Sequence, residues 1–88
     1  MDKDLLTLYR AEMPKVRQLH REILAAKRHL RKDRARCLQV LEGESVTPAA
    51  REMASTQLAK AEEGLRKYGV VEAALKSLRE KMEVRLAA

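Results

Sequence analysis

Gly43-Glu44-Ser45-Val46-Thr47-Pro48 lies near the middle of the chain, between two long stretches of helical periodicity, and constrains the fold more than any other feature. Gly43 suits the position just past a helix C-terminus, where a left-handed backbone would make a Cβ clash. Thr47 can cap a following helix, and Pro48 fits its first position, where no N–H is needed. A stop signal, a short link and a start signal read as the turn of a helical hairpin.

The flanking sequence agrees. Val16, Ile23, Leu30 and Cys37 recur every seven residues. Leu19, Ala26 and Val40 stand three residues later, with Asp33 interrupting that series, and Met13, His20 and Leu41 widen the stripe. After the turn, Ala54, Ala61, Tyr68, Leu75 and Met82 recur every seven. Leu58, Leu65 and Leu86 alternate with them, while Glu72 and Arg79 interrupt. Both patterns are apolar seams of the a/d type. Val71 and Leu78 form a neighbouring row, which suggests that the second seam drifts around its helix near Gly69.

Two positions leave the element boundaries open. Pro14 removes a backbone donor and crowds the carbonyl four residues back, so it either kinks one helix or separates a short N-terminal segment from a long helix. The split is the favoured reading. Gly64 and Gly69 each cost about 1 kcal/mol against Ala in a helix interior, and either can mark close packing or a break. The fold expected is therefore all-α, an antiparallel, coiled-coil-like hairpin in one domain spanning 1–88. Its parts are an N-terminal helical segment 1–13, opened by Asp2 and Asp4, a long helix 14–42, a turn 43–47 and a return helix 48–86. A lone helix pair leaves one face of each helix wet. A homodimer or a helical protein partner is expected to complete a bundle, with Leu24, Leu38, Val71 and Leu78 as the candidate interface.

Composition narrows the classes of function. Charged residues make up 36% of the chain and hydrophobic ones 45%, a mix that favours long helices over disorder. With Tyr9 and Tyr68 the sole aromatics, no aromatic-lined pocket and no small-molecule ligand are expected. His20 and His29 lack partners at ligand spacing, so neither a metal nor another cofactor is expected. A single cysteine, Cys37, excludes an internal disulfide framework and fits a reducing, cytoplasmic setting. No apolar run is long enough to span a membrane, and the start of the sequence lacks the pattern of a secretory signal. No strained serine elbow or glycine-rich phosphate loop suggests an enzyme.

The net charge is +6, and it is uneven. Residues 1–42 hold eleven Lys and Arg against six Asp and Glu, while residues 43–88 hold eight against seven. The densest stretch is 27–36, where Lys27, Arg28, Arg31, Lys32, Arg34 and Arg36 accompany one acid, Asp33. These six are candidate phosphate-binding residues, since guanidinium groups pair bidentately with phosphate oxygens. The competing account is a solvated face whose charges meet Glu62, Glu63 and Glu72 on the returning helix. Missing aromatic interleaving argues against single-strand stacking.

Leu5-Leu6-Thr7-Leu8-Tyr9-Arg10 resembles the opening of the small mitochondrial LYR-motif assembly factors, a likeness that implies binding to an acyl carrier protein. It covers six residues, and the family's downstream phenylalanine has no counterpart in a chain without Phe, so the chain is not assigned there. The layout is also similar, in length and hairpin form alone, to the small helical chaperones of bacterial type III secretion. The function expected is a non-enzymatic protein-interaction module: an adaptor, small chaperone or assembly subunit. The alternative is a basic nucleic-acid-binding accessory protein, of phage or mobile-element origin, acting through residues 27–36.

Overall fold

The computed structural model describes residues 3–88 and contains two helices, α1 (Lys3–Glu42) and α2 (Pro48–Ala87), packed antiparallel as a hairpin. The molecule is a rod of 64 × 15 × 15 Å with a radius of gyration of 19.4 Å. A globular chain of this length would measure about 12 Å. Forty residues at about 1.5 Å each account for the rod's length with both helices running end to end.

α1 passes through Pro14 without interruption, which corrects the division at residue 13. The proline removes one hydrogen bond, but it sits on the exposed side of α1, where solvent can reach the freed Arg10 carbonyl. Packing on both sides of Pro14, at Met13 and Val16, holds the helix against α2. Asp4 lies in the first turn of α1, and Asp2 lies outside the described residues. α2 likewise runs through Gly69, where an added Cβ would meet nothing within 4 Å. Gly64 differs, because a Cβ there would stand 2.9 Å from Cδ1 of Leu30, and α1 approaches closely at that point.

The turn is built as expected at one end only. Thr47 caps α2 with extended backbone (φ −65°, ψ 153°), its Oγ1 accepting from the Ala50 N–H at 3.2 Å, and Pro48 follows as the first helical residue. Gly43 does not adopt the left-handed conformation. Its N–H donates to the Val40 carbonyl at 3.2 Å, closing α1 with a tight i→i−3 bond. What requires glycine is space, since a Cβ would lie 2.8 Å from Cγ2 of Val46 and 3.3 Å from the Val40 oxygen. The carbonyls freed at the end of α1 are met from the other helix. Arg51 donates from Nη1 to the Leu41 carbonyl at 3.1 Å and from Nη2 to the Gly43 carbonyl at 3.0 Å. One guanidinium thus supplies the C-terminal cap that α1 lacks in its own last turn.

The seam is thin. Among the described residues only Met13, Ile23, Ala54, Ala61 and Met82 are buried. On α1 it joins the Val16-Ile23-Leu30-Cys37 column to the column four residues on, His20, Lys27, Arg34 and Leu41, preceded by Met13. The column three residues on, Leu19, Ala26, Asp33 and Val40, lies at the flank: Leu19 is 46% exposed and Val40 37%. On α2 the seam keeps its course past Gly69, with Leu75, Met82 and Leu86 still facing α1. The expected drift toward Val71 and Leu78 does not occur, since each is 44% exposed. Ala54 and Ala61 supply close contact, whereas Ala49, Ala50 and Ala59 are exposed.

Candidate functional surfaces

With the seam positions lettered a and d, the remaining heptad positions divide the hairpin into two flanks and two outer backs. Arg17 and Glu83, paired at 3.5 Å, mark one flank. Leu24 and Leu38 belong to Arg17's column and lie on that flank. The opposite flank is marked by an open groove of about 280 Å³ lined by Cys37, Val40, Ala50, Met53 and Gln57, among others. Val71 and Leu78 continue the Gln57–Gly64 column on this flank, and Leu19 and Ala26 continue the Val40 column. The four residues proposed from sequence as one interface therefore sit on opposite sides of the rod. Leu24 and Leu38 are separated by the thickness of the hairpin from Val71 and Leu78. Of the two flanks the second is the more apolar: Leu19 and Ala26 join Val71 and Leu78 there, beside the 39%-exposed seam residue Tyr68. The most exposed large apolar side chains, Val84, Met53, Val70 and Leu8, lie outside the flank columns.

The polar interruptions of the seam become ion pairs. Lys27 and Glu72, both in core columns, hydrogen-bond across it through Nζ and Oε2. That bond, with lesser help from nearby His20 and Arg31, holds the Glu72 carboxyl below the usual carboxylate range. Arg79 stays on its own helix and donates from Nε to Glu83 at 2.8 Å, and Arg17 approaches the same carboxylate from α1. Arg79 first and Arg17 second lower the Glu83 pKa. The Lys27 side chain is mostly buried with its ammonium in the seam, whereas the Arg34 side chain is half-exposed and reaches outward to Glu62.

The six candidate phosphate ligands do not form one patch. Lys27 is turned to Glu72, Arg34 lies 3.7 Å from Glu62, and Arg36 lies 3.7 Å from Asp33 on its own helix. Arg31 faces Glu72 closely enough to contribute to its lowered pKa. Arg28 and Lys32 have no ion-pair partner among the described residues, and they line a shallow depression with Ala25 and His29. Glu63 does not reach α1. It pairs with Arg66 at 2.6 Å and with Lys67 at 3.8 Å, and the Arg66 hydrogen bond lowers its pKa. Among the described residues no group of three His, Cys, Asp or Glu side chains is placed to hold a metal ion. No described helix is long and apolar enough to cross a membrane.

Comparison with known proteins finds no family model, no curated protein and no solved structure that matches the chain. The surfaces themselves are what bears on function.

Sequence reasoning placed Leu19 and Ala26 in the seam because their column is more apolar than the one holding Lys27 and Arg34. The available signal was Glu72, which lies in a core column of α2 and offers Lys27 a partner. Arg51 as a cap for α1 left no local signature, since its target carbonyls are eight and ten residues away.

Proposed function

We propose that this hairpin is a non-enzymatic protein-interaction module whose Leu19–Ala26–Val71–Leu78 flank is covered by a helical partner, in its simplest form a second copy of the chain. The observation that supports it is this flank. It is contiguous, apolar and half exposed, beside a seam that among the described residues buries only five side chains. The antiparallel register sets Leu19 near the level of Leu78 and Ala26 near that of Val71, giving two adjacent apolar layers. A two-fold axis between the layers would bring each onto the other, as an isologous contact requires. Glu12 and Arg85 on one side of the layers, and Asp33 on the other, would border such a contact with both signs of charge. A half-buried cysteine with no disulfide role suits the cytoplasm, where we place it.

Light scattering after size exclusion tests the reading. The chain is expected at twice its 10.0 kDa mass at micromolar concentration. L19E/L78E is expected at the monomer mass with its helicity retained, because neither side chain is part of the seam. A wild-type monomer at 100 μM, or a dimer indifferent to both substitutions, would overturn self-association through this flank.

A further inference from the structure

The back of α1 carries a second surface, independent of the apolar flank. The three heptad columns turned away from the seam toward solvent and the Arg17 flank hold Arg10, Arg17, Arg21, Arg28, Arg31 and Lys32. Between residues 5 and 41 they contain no Asp or Glu. Arg10, Arg21, Arg28 and Lys32 are exposed and have no carboxylate partner among the described residues. Arg21 donates to Gln18 at 2.7 Å. From Arg10 to Lys32 the arc runs for about 33 Å along a single uninterrupted helix. It differs from the stretch 27–36, since Lys27, Arg34 and Arg36 are drawn off to Glu72, Glu62 and Asp33, and half of the arc lies before residue 27. Within the arc Arg17 reaches Glu83 at 3.5 Å and Arg31 faces Glu72, which leaves Arg10, Arg21, Arg28 and Lys32 as the cations the proposal rests on.

We propose that this arc binds the phosphate backbone of duplex nucleic acid. A continuous helix presents Arg10, Arg21, Arg28 and Lys32 along its length, and the ligand that meets them without bending is a stiff rod of regular negative charge. Duplex DNA carries one charge per about 1.7 Å of axis and stays straight over this length. Five of the six cations are arginines, whose planar donors match phosphate oxygens. Between the cations stand Ala11, Pro14, Gln18, Leu24 and Ala25; half-buried Leu24 is the one large apolar side chain among them, so an anionic bilayer has little to hold beyond charge. The arc lacks aromatics, so unpaired bases find no stacking platform.

Fluorescence anisotropy with a labelled 30-base-pair duplex of mixed sequence tests this, with the full chain in 50 to 200 mM salt. The wild type is expected to bind with Kd on the order of 1 μM at the lowest salt and to weaken steeply as salt rises. R21Q/R28Q/K32Q should weaken binding at least about tenfold and flatten the log–log salt slope by about 3. Gln is a good helix former, and circular dichroism should show the fold unchanged. K60Q/K76Q/K81Q removes the same charge from α2 and is expected to bind within about twofold of wild type. R21K/R28K, which keeps the charge, is expected to retain binding. Equal losses in the two triple variants would overturn the arc in favour of net charge alone. No duplex binding at 50 mM salt, or preference for vesicles containing anionic lipid over the duplex, would overturn the proposal itself.

Discussion

Each of the three glycines answers to a different constraint. Gly43 is held by crowding from Val46 and the Val40 carbonyl, Gly64 by Leu30 on the facing helix, and Gly69 by nothing within 4 Å. A helix-interior glycine costs about 1 kcal/mol against alanine, so the three should respond differently to the same substitution. Gly69→Ala is expected to stabilise the hairpin by about 0.5–1 kcal/mol, raising Tm by several degrees. Gly64→Ala gains the same helix propensity but must displace the end of the Leu30 side chain, and should therefore gain less than Gly69→Ala. Thermal unfolding of the two variants side by side checks this. Equal gains would mean that α1 does not approach α2 closely at residue 64. The sequence showed that both glycines were unusual in a helix. Which one faced a neighbour depended on register, and register is a property of the pair of helices.

At the scale of the element, α1 shows how packing overrides a local signal. Proline in a helix interior costs about 3 kcal/mol or more, which favoured a break before residue 14. The seam contacts of Met13 and Val16 lie one residue before it and two after it. A break there would take one of them off α2. The helix bears the lost hydrogen bond on its wet side instead. Pro14→Ala is expected to stabilise the hairpin, by as much as about 3 kcal/mol, with no change in the length of the rod. Denaturant unfolding measures it, and an unchanged midpoint would restore the broken helix. The end of α2 at Thr47 and Pro48 was legible because capping chemistry is local. The end of α1 was only half legible. Gly43 marked its place, but its carbonyls are met by Arg51 from α2, a contact that only the closed hairpin creates.

At the scale of the molecule, stability depends on a single thin seam crossed by ion pairs, and acid should expose it. Hydrogen bonds from Lys27 and from Arg79 lower the Glu72 and Glu83 pKa values in the folded state. The unfolded chain, with carboxylates near their ordinary range of about 4.3, binds protons first as pH falls. This contribution to stability is therefore complete above the ordinary carboxylate pKa and is lost as pH drops toward the lowered folded values. Tm is expected to decline from pH 6 to pH 3, and E72Q/E83Q should start lower at pH 6 but decline less. Parallel profiles for the two proteins would show that these carboxylates do not set the acid limit. The same thinness explains the half-exposed apolar flank, because two helices can share one seam but cannot cover the columns beside it.

The sequence by itself determined that the chain is a helical hairpin: the heptads, the Thr47-Pro48 start and the Gly43 stop are local patterns that hold whatever the helices meet. The tertiary structure decided which columns face each other. On α1 the heptad pattern fitted the Leu19-Ala26-Val40 column better than the His20-Lys27-Arg34 column. Glu72 on α2 holds Lys27 in the seam and leaves Leu19 and Ala26 outside, beside Val71 and Leu78. That choice separates the four expected interface residues onto two flanks. It leaves the cations of α1 that lack a carboxylate partner among the described residues on an arc from Arg10 to Lys32 instead of within residues 27–36. Charge pairing across a seam depends on the partner helix as much as on the chain that carries the lysine, so periodicity read along one helix could not supply it.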